Sequence, residues 1–231
     1  MARGRVLRVI AALVAVAAIA RAERSPGNTG EVTGRVTVKS RGLFGGLSDK
    51  GDRSGVVVYL EGVPGEPPGP APPPVAIRQR DKQFVPRVMA VRAGGAVSFP
   101  NDDRIFHNVF SLSKPAKFDL GLYKSGTEKR VTLDRPGQVD VFCNIHPDMV
   151  ATIKVLDTGW FAVTDRDGSF RIAGVPPGTF ALVAWQPHGE PFRGTVTVTA
   201  GGATEVKIEI VEGRAPLDHP RKDGTPYGRY E

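Results

Sequence analysis

The stretch that decides the fold is VDVFCNIHPDMVATIKV, residues Val139–Val155. Val139, Val141 and Cys143 share one parity, and Met149, Ala151, Ile153 and Val155 do the same after them. Alternate side chains of a strand face one side, so each row reads as the buried face of a β-strand. The seven residues Cys143–Met149 then form a loop between two strands, with Cys143 and Met149 at the strand ends and His146 at the tip. Upstream, His107 stands in Phe106-His107-Asn108-Val109-Phe110, in or beside another strand.

Cys143 is the only cysteine in the chain. A lone cysteine can be an inert buried thiol, an intermolecular bridge or a metal ligand, and its neighbours favour the last. One thiolate, two imidazoles and a weak thioether form the His₂Cys site with a long axial Met that supports blue-copper electron transfer. His107, Cys143, His146 and Met149 are the candidate ligands for one copper ion in a type 1 site. Thiolate donation to copper also accounts for an unpaired cysteine in an oxidising compartment.

Outward from this loop the same grammar recurs. Short apolar runs stand at Val32–Val38, Val56–Leu60, Met89–Val91, Val97–Phe99 and Val139–Cys143, then at Ala151–Val155, Phe170–Ile172, Phe180–Trp185, Thr195–Thr199 and Val206–Val211. No long stretch has apolar residues at helical spacing. With 20 Pro and 28 Gly as punctuation, the chain reads as all-β, built from one or two sandwiches.

The ends read differently. Arg3, Arg5 and Arg8 precede an apolar run, Val9–Ala20, and Ala20-Arg21-Ala22 gives a small-x-small cleavage pattern. Residues 1–22 are thus expected to be a signal peptide, an uncleaved N-terminal anchor being the rival reading, and the mature chain is expected to be periplasmic or otherwise exported, with no transmembrane segment after cleavage. No cysteine stands at the cleavage site, which argues against a lipoprotein. Loss of four arginines lowers the formal charge from +7 to +3. No basic cluster with interleaved aromatics points to nucleic acid. Pro64–Pro74, within a linker at 63–74, reads as a stiff extended spacer. Residues 213–231 read as a loose tail.

Two resemblances follow from particular motifs. Phe84-Val85-Pro86, Ala93–Asn101, Phe106-His107-Asn108-Val109 and the C-x-x-H-P-x-M loop make residues 75–156 resemble a plastocyanin/amicyanin-type cupredoxin, a Greek-key sandwich. The loop length is that of amicyanin. The resemblance implies His107, Cys143, His146 and Met149 as ligands. It also implies Asn108 as the residue tying the ligand loop to the first-ligand strand. Asp148 departs from the pattern by placing a carboxylate in the ligand loop. Thr164–Ile172 and Val175–Leu182 resemble the turn-and-strand signature of the carboxypeptidase-regulatory-like, transthyretin-type sandwich. Gly34–Val38 and Gly55–Gly62 resemble the two earlier strands of that family, displaced upstream. The expected organisation is therefore one small sandwich from 31–62 and 157–212, with the cupredoxin inserted between its second and third strands, the alternative being that 31–62 adds strands to the middle domain. The order of the two modules resembles exported bacterial methylamine-utilization-type proteins.

The implied function is electron transfer by Cu(II)/Cu(I) cycling with a periplasmic redox protein partner, His146 being the electron port. The alternative is a periplasmic copper-binding or envelope module without a carrier role. No G-x-S-x-G, framed carboxylate pair or second histidine cluster suggests an enzyme. Asp165-x-Asp167-Gly168 reads as a β-turn rather than a calcium loop. His188 and His219 read as solvent-facing, and Trp160 and Trp185 as core or inter-domain packing.

Overall fold

The computed structural model describes residues 28–42, 46–65, 67, 75–213, 219 and 221–227. The signal peptide expected at residues 1–22 and most of the expected spacer at 63–74 lie outside them. Among the described residues no helix is long and apolar enough to cross a membrane.

In chain order the strands are β1 (Gly30–Arg41), β2 (Leu47–Asp49), β3 (Val57–Glu61), β4 (Val75–Ala76), β5 (Arg78–Arg80) and β6 (Gln83–Val85). Next come β7 (Val88–Arg92), β8 (Gly95–Pro100), β9 (His107–Ser113), β10 (Ala116–Tyr123), β11 (Glu128–Leu133) and β12 (Gly137–Phe142). The last are β13 (Val150–Leu156), β14 (Phe161–Val163), β15 (Ser169–Val175), β16 (Gly178–Trp185), β17 (Phe192–Val198) and β18 (Ala203–Val211). The protein is all-β, in two sandwiches.

One sandwich packs the sheet β15-β1-β18, with β2 paired to β1, against β14-β3-β16-β17. Its core holds Val32, Val36, Val58, Leu60, Trp160 and Leu182, among others. The chain leaves this sandwich after β3 and returns at β14, so the two segments pair across the intervening residues. Tyr59 opposes Phe161 and Val183, and Gly34 opposes Phe170. Parallel pairing of β1 with β18 brings the backbones together at Gly34, where a Cβ would run into the carbonyl oxygen of Val206. Only glycine fits that approach.

The turn into β15 is a β-turn. Asp165 Oδ1 accepts the N–H groups of Asp167 and Ser169 at 3.0 and 2.9 Å. Gly168 sits at φ +79°, where a Cβ would meet Val36 O.

The other sandwich packs β10-β9-β12-β13-β7 against β11-β8-β4, with the hairpin β5-β6 beside it. Its core gathers Ile77, Phe84, Val97, Phe99, Val109, Val139, Val141 and Ile153 together with Cys143 and Met149. Val97, Phe99, Val139, Val141 and Ile153 are alternate residues of the apolar runs, and burial contributes about 1.5–3 kcal/mol per large side chain.

Between the sandwiches lies a third cluster of Val57, Tyr59, Ala90, Leu156, Val183 and Trp185. It explains why Val56–Leu60 is apolar at every position. One face of this segment lines its own core and the other packs on β7 and β13, so no polar face remains. Lys154 lies over the Trp185 ring, 4.7 Å from its centroid.

Candidate metal centre

β12 carries Val139 and Val141 into the core and ends at Phe142, so Cys143 is the first residue beyond the strand, fully buried. The chain turns through Asn144–Asp148 and enters β13 just after Met149, also fully buried. Three backbone bonds close this loop: Cys143 N–H to Met149 O at 3.2 Å, Met149 N–H to His146 O at 3.2 Å, and Val150 N–H to Asp148 O at 3.1 Å. His107 is the first residue of β9, opposite Tyr123 of β10, and its side chain is fully buried.

The loop brings three of the four sequence candidates into ligand geometry. His107 Nδ1 and His146 Nδ1 are 3.2 Å apart, and Cys143 Sγ lies 3.9 Å from the first and 3.7 Å from the second. His107, Cys143 and His146 form a group of metal-ligating type. At bond lengths of about 2.05 Å to nitrogen and about 2.3 Å to sulfur, trigonal angles separate the nitrogens by about 3.5 Å and each nitrogen from sulfur by about 3.8 Å. The donor triangle fits one ion of that size. Met149 shares the hydrophobic cluster of Cys143 and stands at the other end of the same loop. His146 is half-buried, the most exposed of the four.

The electrostatics prepare the donors. Burial alone pushes the Cys143 thiol up. The His107 imidazole and the N–H groups of Asn108, Ile145 and His146 outweigh it and hold the thiol below its ordinary value. Backbone donors aimed at sulfur favour thiolate, the form that binds metal. Burial, followed by the charges of His107 and Lys82, pushes His146 down and keeps it neutral. Burial also opposes charge on His107, but Cys143 and Asp103 overcome it and raise that imidazole.

Three features depart from the sequence reading. The Asn108 side chain turns to β10: its Nδ2 donates to Asp119 Oδ1 at 2.7 Å, and among the described residues its buried Oδ1 has no hydrogen-bond partner. The link from β9 to the loop is instead the backbone N–H of Asn108, directed at Cys143 sulfur. Backbone geometry carries this link, so the side-chain type does not reveal it.

The described part of the tail is not loose, and His219 is not solvent-facing. His219 stacks on Phe142, centroids 4.1 Å apart, and its Nε2 lies 2.8 Å from Pro147 O. Lys222 N–H donates to Asn144 Oδ1 at 3.0 Å, Lys222 Nζ donates to Asp119 at 2.6 Å, and the Tyr227 hydroxyl donates to Cys143 O at 2.5 Å. Polar, aperiodic sequence conceals a strap that makes side-chain contacts rather than strand ladders. His188, by contrast, is exposed.

Sequence reading also misses Asp103, whose Oδ2 lies 2.7 Å from His107 Nε2. The available signal is an acidic residue four positions before the histidine, in the turn that follows the Val97–Phe99 run.

Residues 149–211 match the family model of the carboxypeptidase regulatory-like domain. The match takes in β13, which belongs to the other sandwich, and omits β1 and β3, which complete the first. No curated protein sequence matches the chain. Among solved structures, a copper-containing nitrite reductase from Thermus scotoductus is 25% identical over 39% of this chain and 25% of its own, with TM-score 0.36. The chain thus spans about a quarter of that reductase. A Cu(I) amicyanin variant is 17% identical over 43% of this chain and 98% of its own, TM-score 0.35. A purple cupredoxin from Nitrosopumilus maritimus is 20% identical over 36% of this chain and 99% of its own, TM-score 0.33. At these scores none of the three bears on what this chain does.

Proposed function

We propose that the protein is an exported type 1 copper protein that transfers electrons by Cu(II)/Cu(I) cycling. The observation that carries this reading is the triangle of His107 Nδ1, His146 Nδ1 and Cys143 Sγ, with edges of 3.2, 3.7 and 3.9 Å, closed by a loop ending in buried Met149. Copper, when bound, supplies a one-electron couple.

The chain's own residues do the rest. Cys143 offers a sulfur already favoured as thiolate, His107 and His146 offer ring nitrogens, and Met149 a weak thioether. The ladder between β12 and β13, continuous from Gly137↔Val155 to Phe142↔Val150, holds the loop ends in place. A rigid donor set limits rearrangement between oxidation states. His146, half-buried on the loop, is the electron port toward a periplasmic redox partner.

In the same reading, residues 31–62 and 157–212 are one sandwich and residues 75–156 are inserted in it. The pairing of β3 with β14 and β16 supports that division.

The test is voltammetry of the copper-loaded chain. A reversible one-electron couple with rapid self-exchange is expected, and a couple too slow to turn over would overturn electron transfer. The strap over the loop favours a second reading, a copper-holding module, which predicts that slow couple with tight Cu(I) retention.

A further inference from the structure

The geometry points to Asp103 as a positioning residue for His107: it fixes the ring with Nδ1 free for a metal and places a negative charge behind it. This lowers the reduction potential of copper held at the triangle, and so rests on the copper reading above.

The carboxylate is built into the fold. Asp103 Oδ1 accepts the N–H of Asp81 at 2.7 Å, and Oδ2 accepts the N–H of Lys82 at 2.9 Å beside its contact with His107. Asp81 and Lys82 are the two residues between β5 and β6, at φ 54° and 55°. Such a turn is easiest for Gly and Asn, and two other residues hold it here with both amides on one carboxylate. The N–H of Asp103 donates to Asn101 Oδ1 at 3.0 Å. Asn101 Nδ2 in turn donates to Ile105 O at 2.9 Å and Tyr123 O at 3.2 Å. The segment before His107 is thereby pinned to β10. The neighbouring Asp102 faces the other way, onto Arg78 at 2.6 Å and Arg80 at 3.4 Å, so those guanidiniums neutralise Asp102.

An ionised carboxylate has no hydrogen to give, so His107 must donate Nε2–H to it. The neutral ring then has its lone pair at Nδ1, which faces Cys143 and His146. A carboxylate on the far nitrogen makes a metal-bound imidazole a stronger donor. It stabilises the more highly charged Cu(II) over Cu(I). The side chain of Asp103 is only 13% exposed, so solvent screens this charge weakly.

The experiment uses the full copper-loaded chain with Asp103→Asn, which keeps an acceptor but drops the charge, and Asp103→Ala, which drops both. Both variants are expected to retain the visible thiolate-to-copper band. Asp103→Asn is expected to raise the potential by a shift equal to about tenfold weaker preference for Cu(II), or about 59 mV for a one-electron couple. An unchanged potential with the band intact overturns the charge effect, and lowered melting temperature as the sole change reduces Asp103 to loop support.

Nitrogen NMR of the metal-free chain reads the tautomer independently of copper and of whether the variants fold. At a pH where the His107 ring is neutral, Nε2–H in the unsubstituted chain supports the positioning role, and Nδ1–H overturns it. A chain with no copper band whose His107 still carries Nε2–H would remove the copper reading while leaving the positioning intact.

Discussion

Tyr227, near the C-terminus, donates its hydroxyl hydrogen to the carbonyl oxygen of Cys143 at 2.5 Å. With His219 on Phe142 and Lys222 on Asn144, that bond ties the final described residues to the candidate ligand loop. In the proposed electron-transfer role, such external bracing would help the loop keep two oxidation states alike. Removing every residue after Gly213 should speed hydrogen exchange of the Asn144–Met149 amides while leaving that of β1, β3 and β16 unchanged. Tyr227→Phe alone should cost about 0.5–1.5 kcal/mol, the net value of one hydrogen bond. Unaltered loop exchange in the truncated chain would show that the strap rests on the loop without bracing it.

Acid should release the same strap. Burial pushes the Asp119 carboxyl up, but the Lys222 ammonium, the Gly121 amide and the Asn108 amide outweigh it and hold it below its ordinary value. A depressed carboxyl stabilises the fold above its unfolded pKa, and that stabilisation is lost as pH falls through the folded value. Protection of the loop amides, measured against their intrinsic exchange rate at each pH, should therefore fall on acidification below the ordinary carboxylate range. Asp119→Asn should show the lower protection already at neutral pH.

At the alkaline end Tyr123 should set the response. It is 4% exposed, donates to Phe99 O at 2.9 Å and accepts from Gln79 Nε2 at 2.6 Å. Burial pushes its phenol far above the ordinary value. Its stabilisation is full below the unfolded pKa of about 10 and falls as pH rises through the raised folded value. Denaturant unfolding should show stability declining above about pH 10, with the decline reduced in Tyr123→Phe. That variant should itself cost about 1–3 kcal/mol, because it removes one partner of buried Gln79.

Leu156 joins the two sandwiches by packing with Tyr59, Val183 and Trp185. Leu156→Ala should cost about 2–5 kcal/mol in denaturant unfolding, the range for a buried leucine truncated in a tight core. A loss below about 1 kcal/mol would mean that the interface collapses around the gap or contributes little.

The apolar runs are legible in sequence because alternate burial leaves a period of two, and Val139–Val155 even reveals the loop between its strands. β10 and β11 are harder to read. Most of their residues are partly or fully exposed, and Gly121 at φ 67° lies in the irregular register between Asp119 and Leu122. Cys143, His146 and His107 are legible because ligand chemistry narrows the residue types. Asp103 is not, since its meaning depends on the Asp81–Lys82 amides some twenty residues away. The strap is hidden for a related reason. It brings the side chains of His219 and Tyr227 to loop carbonyls and the backbone N–H of Lys222 to the Asn144 amide, and such isolated contacts leave no periodic trace.

The most direct test is the visible absorption spectrum of the full chain with Cu(II), beside Cys143→Ser. An intense thiolate-to-copper band present in the parent and absent from the variant is the predicted result. A folded, copper-loaded parent with no such band would contradict the type 1 centre at His107, Cys143 and His146.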